Sequence, residues 1–162
     1  MAFLPGAAPP RRAVVLVNPG ARRGGEAIDG ILAKLTEAGV TLHEASLGTP
    51  AEIEARIRAA EGPDGPADCA IVCGGDGSLC RAAPGLIASS FTLGILPMGT
   101  ANDLARTLGI PVELEAAAEV IVAGHQRRID LGTVNGTPFF NVASIGLSAE
   151  LARELSPGLK RR

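Results

Sequence analysis

The 162-residue sequence contains no tryptophan, no tyrosine and only four phenylalanines. It therefore has no aromatic platform on which bases could stack, and its formal net charge of −2 supplies no basic field, so no nucleic-acid partner is expected. Histidine and cysteine are also scarce. His43, His125, Cys69, Cys73 and Cys80 fall at no zinc-ligand spacing, and an odd number of thiols argues against a disulfide framework. No metal ligand set is read from the sequence. No aliphatic run approaches the roughly 20 residues that a bilayer span needs. The opening MAFLPGAAPPRR is unlike a secretory signal, because its short apolar part is broken by Pro5 and its arginines follow it. Residues 1–11 read as a flexible leader, and the expected location is cytoplasmic.

What is present is 46% hydrophobic residues with 20% charged ones, enough for one core, punctuated by 21 glycines and 12 prolines. The β-branched run AVVLVN (13–18) ends at Asn18-Pro19-Gly20, and Ile28, Ile31, Leu32 and Leu35 follow at helical spacing. VTLHEAS (40–46) predicts a second strand, and Thr49-Pro50-Ala51-Glu52 then offers an N-cap, a first-turn proline and a capping-box glutamate. CAIVC (69–73) predicts a third strand with both thiols buried on one face, and a helix is expected from Ser78 although Pro84 lies inside it. FTLGILP (91–97) predicts a fourth strand, followed by a short helix stopped by Gly109 and another over 112–123. This alternation predicts a Rossmann-like three-layer α/β domain with a mostly parallel sheet over residues 12–124. Asn135-Gly136 between two strand-like runs then signals a hairpin, the start of an incomplete antiparallel β domain over 125–162. Its exposed strand edges would favour a homo-oligomer.

The three glycine-rich loops fall at the carboxyl ends of predicted strands, where open α/β sheets bind ligands. Gly74, Gly75 and Gly77 let backbone N–H groups approach an anion closely at a helix N-terminus, yet neither a P-loop nor a Gly-x-Gly-x-x-Gly fingerprint is present. Asp76 among those amides repels a bare phosphate. It suits the loop if Mg²⁺ lies between them, if a hydroxyl donates to it, or if it serves as a structural cap. Thr100, Asn102 and Asp103 form a second polar turn opening a helix, which could equally be a Thr100–Asp103 capping box. Asn18 supplies a third polar group on the same sheet edge.

These ordered motifs resemble the diacylglycerol kinase catalytic-domain family, which includes bacterial lipid kinases and sphingosine kinases and is distantly related to NAD kinases. The resemblance runs through Asn18-Pro19, Gly74-Gly75-Asp76-Gly77-Ser78, MGTANDLARTLGIP (98–111) and IDLGTVNGTPFFNVASIGL (129–147). It implies transfer of the γ-phosphate of Mg-ATP to a diacylglycerol-like or sphingoid hydroxyl, with ATP and Mg²⁺ as nucleotide and ion. Nucleotide contacts would fall on Asn18, Thr49, Gly74, Gly75, Asp76, Gly77, Ser78, Leu79, Cys80, Gly99, Thr100, Asn102 and Asp103. Asp76 would be the acidic residue needed for transfer.

The lipid partner would be reached by transient contact at the inner membrane face. Where the family usually has Asn-Glu, this chain has Cys80-Arg81, and Arg81 could contact a phosphate. The family's catalytic base and structural metal ligands belong to a second domain, so no residue here takes those roles. The alternatives are a non-catalytic nucleotide-binding module and an NAD-kinase-like phosphotransferase.

Overall fold

In a computed structural model the described residues are 8–18, 20, 25–60, 65, 67–89 and 91–140. Four strands, β1 (Arg12–Val17), β2 (Thr41–Ser46), β3 (Cys69–Gly74) and β4 (Thr92–Pro97), pair in the order β2-β1-β3-β4, all parallel. The connecting helices are α1 (Gly25–Glu37), α2 (Pro50–Ala59) and α3 (Asp76–Ile87), followed by α4 (Asp103–Leu108) and α5 (Leu114–Val122). The chain steps from β1 to β2 on one side and then returns to place β3 on the other. The strand order therefore reverses between β1 and β3, and the crevice at their carboxyl ends is where such sheets take ligands.

Strand periodicity splits the core in two. Ala13, Val15 and Val17 of β1 join Cys69, Ile71 and Cys73 of β3 beneath α1 and α5, whereas Val14, Leu16 and Val72 face Ile53, Ile57 and Leu79 of α2 and α3. Both faces are covered, which is why β1 and β3 read as continuous apolar runs rather than alternating ones. Thr49 caps α2 in the expected capping box: its hydroxyl accepts the Glu52 N–H, and the Glu52 carboxylate accepts the Thr49 N–H at 2.7 Å. The Thr49 backbone N–H, and then its hydroxyl, hold the Glu52 carboxyl below its ordinary value.

The hairpin is formed by β5 (Gly132–Val134) and β6 (Thr137–Phe139), with Asn135 and Gly136 both at positive φ, 49° and 77°, as a tight two-residue turn demands. Residues 141–147, which complete the motif read there, lie outside the described residues, as do residues 1–7, Pro19, Arg22-Arg23 and the C-terminal Lys160-Arg161-Arg162. The fifth helix is shorter than expected, Leu114–Val122, and Gly109 at φ 73° ends the fourth. α3 runs through Pro84, with Ala88 N–H bonded to the Pro84 carbonyl at 3.1 Å.

Cys69 and Cys73 lie on one face of β3 and are buried, and burial pushes both thiols up from 9.0 to about 12. An unfolded chain releases these protons from about pH 9 while the fold keeps them, so the unfolded state binds fewer protons and stability falls as pH rises between about 9 and 12. The slope is at most about 1.4 kcal/mol per pH unit per thiol. Urea midpoints should therefore drop between about pH 8 and about pH 10, and Cys73→Ala should flatten that drop. In native labelling with a thiol reagent, half-buried Cys80 should react first, with Cys69 and Cys73 reacting only on unfolding. Equal reactivity of all three thiols would contradict this packing.

Candidate functional site

The loops after β1, β3 and β4 meet around a cavity of about 360 Å³. Asn18 and Gly20 line it from the first loop, Gly75 to Ser78 and Arg81 from the second loop and α3, and Met98 to Thr100 from the third. The strands hold these loops in register: Asn18 N–H donates to the Cys73 carbonyl at 3.1 Å, and Met98 N–H to the Gly74 carbonyl at 3.0 Å. α3 begins at the cavity wall. Its first-turn N–H groups, those of Asp76 and Gly77, are ones that helix geometry leaves without an intrahelical acceptor. Together with the helix dipole they make this wall attractive to an anion.

Two contacts weld the second and third loops together, and another closes the third loop on itself. A methyl group on Gly99 would stand 2.5 Å from the Gly75 Cα, so two glycine backbones touch where no side chain fits. Asn102, 7% exposed and left-handed at φ 52°, folds back on Gly99, accepting its N–H at 2.8 Å and donating to its carbonyl at 2.9 Å. Asp76 reaches across and accepts the N–H of Asp103 at 3.1 Å and of Leu104 at 3.0 Å. Its carboxylate therefore caps α4 from another element, using one lone pair of each oxygen and leaving the others open.

Two expectations are corrected by this geometry. α3 starts at Asp76, with Gly75 as N-cap, rather than at Ser78. Gly75 carries the extended cap conformation, and the Ser78 N–H already bonds the Gly75 carbonyl at 2.9 Å. Arg81 consequently occupies the sixth helical position, beyond the first turn. The Thr100–Asp103 capping box does not form either. The N-cap of α4 is Asn102, whose side chain is committed to Gly99, and Asp76 supplies the acceptor that Thr100 was expected to provide.

The remaining expected residues separate into distinct places. Ser78 is buried, and its hydroxyl accepts from the Asn18 side-chain amide at 2.9 Å, which joins the first loop to the second. Gly74 is buried against Ser78, so a Cβ there would collide with that hydroxyl. Leu79 packs into the core beneath α3, its N–H bonded to Gly75, and Cys80 leans on the same apolar cluster. Thr49 is outside the cavity lining, with its polar atoms engaged in the α2 capping box. Gly20 and Met98 line the cavity without having been singled out from the sequence. The Gly20 N–H closes a turn onto the Asn18 carbonyl oxygen of the side chain at 3.0 Å, a turn that Asn-Pro-Gly already signals.

The diacylglycerol kinase catalytic domain matches residues 12–134, and the chain belongs to that family. A diacylglycerol kinase from Staphylococcus saprophyticus is 32% identical over 154 residues, covering 93% of this chain and 50% of its own length. One from Bacillus subtilis is 43% identical over 96 residues, 57% of this chain and 32% of its own. A crystal structure of a diacylglycerol kinase from Bacillus anthracis superposes with a TM-score of 0.72 at 30% identity, covering 89% of this chain and 50% of the solved one. The chain thus spans about half the length, or less, of the relatives it matches.

Proposed function

We propose that this chain forms the nucleotide-binding half of a lipid kinase that passes the γ-phosphate of Mg-ATP to a lipid hydroxyl, of diacylglycerol type or sphingoid. The observation that carries the reading is the welded pair of loops at the crevice: helix-start amides without an intrahelical acceptor, with a carboxylate fixed beside them by two backbone donors. Residues 12–124 would be the nucleotide-binding domain, and residues from 125 onward the start of a β-rich second one.

The donor set fits a magnesium-bound polyphosphate. The Asp76 and Gly77 amides would bind phosphate oxygens, and Gly75 and Gly99 would allow their backbones to approach closely. The open lone pairs of Asp76 would face the ion or the acceptor hydroxyl. Magnesium, when bound with the nucleotide, neutralises phosphate charge. Asn18 and Ser78 would hold the first loop against that phosphate, and Thr100 and Asp103 would border it on the third. Positioning and charge stabilisation carry most phosphoryl-transfer catalysis, so a rigid cradle is the protein's main contribution.

The test is transfer of labelled phosphate from Mg-ATP to diacylglycerol or sphingosine in mixed micelles, by the chain alone and by the chain joined to the second half of a relative, with NAD as a third acceptor. Labelled lipid from the joined protein is expected. Labelled NAD without labelled lipid would replace the reading with an NAD-kinase-like one, and nucleotide binding without transfer to any acceptor would favour a non-catalytic module.

A further inference from the structure

Arg81 lies on α3 three and four residues beyond Ser78 and Gly77, so all three share one face of the helix. Long helical side chains lean back over the turn N-terminal to their own Cα, which directs the Arg81 guanidinium toward the start of α3 and the cavity it lines. Among the described residues lining that cavity, Arg81 is the one cation. Among the described residues it makes no hydrogen bond or ion pair. The nearby carboxylate forms no ion pair with it; Asp76 accepts from the Asp103 and Leu104 amides of α4. Arg81 is exposed and packs into neither half of the core.

We infer that Arg81 is a polyphosphate-binding residue of this site, closing over the anion from the α3 side of the cavity. The inference rests on the nucleotide-binding reading above and adds to it a charged contact outside the glycine-rich loops. A guanidinium offers a planar fork of donors matched to two phosphate oxygens, and it brings a full positive charge that the backbone amides beside it lack. The backbone amides then give the site its shape, and Arg81 gives it preference for a highly charged phosphate chain over a neutral nucleoside.

The experiment is calorimetric titration of the full chain and of Arg81→Ala and Arg81→Lys with Mg-ATP and with magnesium tripolyphosphate, each at two salt concentrations, with melting temperatures measured alongside. Arg81→Ala is expected to weaken both ligands by roughly tenfold to a hundredfold, to reduce the salt dependence, and to leave the melting temperature unchanged or slightly raised. Arg81→Lys should recover part of the affinity, since it restores the charge without the fork. Unchanged affinity in Arg81→Ala, with the wild-type chain binding normally, would overturn this inference and leave the nucleotide reading standing. A wild-type chain that binds neither ligand would overturn both. A melting temperature lowered in Arg81→Ala, with the Lys variant no better, would show that the side chain acts in the fold instead.

Discussion

Gly99→Ala is expected to abolish measurable Mg-ATP binding and to lower stability by about 3 kcal/mol, the upper range for overpacking. The added methyl would stand 2.5 Å from the Gly75 Cα and 2.8 Å from the Asn102 side-chain oxygen. Neither obstacle is the far end of a flexible side chain: one is backbone, and the other is held by two hydrogen bonds to Gly99 itself. The second and third loops must separate, and the Asp76 cap on α4 separates with them. Gly77→Ala is the matched control. A methyl there meets nothing within 4 Å, and alanine in a helix gains roughly 0.5–1 kcal/mol over glycine. That variant should fold at least as well as wild type while weakening nucleotide binding, because Gly77 borders the cavity. Melting curves and titrations of the two variants read both effects. A Gly99→Ala chain that melts and binds like wild type would contradict the loop contact.

On the lipid-kinase reading, Asp76→Ala is expected to cut phosphate transfer by the joined protein roughly a hundredfold or more, and to destabilise the fold by about 2 kcal/mol. The second effect follows from the two α4 amides that lose their acceptor, one of which belongs to Leu104, a core residue at 4% exposure. Asp76→Asn separates the roles. An amide side chain keeps one oxygen to accept from α4, so much of the stability should return, yet it offers no negative charge to an ion or an acceptor hydroxyl. Transfer should stay low in that variant. Asn restoring both stability and transfer would make Asp76 a structural strut alone, and Ala leaving stability untouched would contradict the cap.

The sequence made the alternation of strands and helices legible because each element carries its own signal. β1 and β3 are largely apolar runs, Thr49 to Glu52 spells a capping box, and Asn135-Gly136 spells a hairpin turn. The placement of glycine loops at strand ends was also legible, since strand patterns end where the glycines begin. What the sequence could not convey is the interaction between loops. Asp76 and Asp103 are 27 residues apart, and nothing local distinguishes a carboxylate that caps its own helix from one that caps another. The same gap explains the Thr100–Asp103 capping box, a sound local pattern displaced by a tertiary acceptor. The start of α3 was read two residues late because Gly77 in a first turn reads as loop. Leu79 sits inside the motif in sequence, and helical geometry turns its side chain into the core.

On the proposed reading, the three loops form one preformed cradle for a magnesium-bound nucleotide. With no tryptophan or tyrosine to report binding by intrinsic fluorescence, the direct measurement is calorimetric titration of the purified chain with Mg-ATP, with Asp76→Ala run beside it. Saturable binding by the wild-type chain is expected, with clearly weaker binding by the variant, whose α4 is uncapped and whose second and third loops have lost one of their links. A folded wild-type chain that shows no saturable heat with Mg-ATP would contradict it.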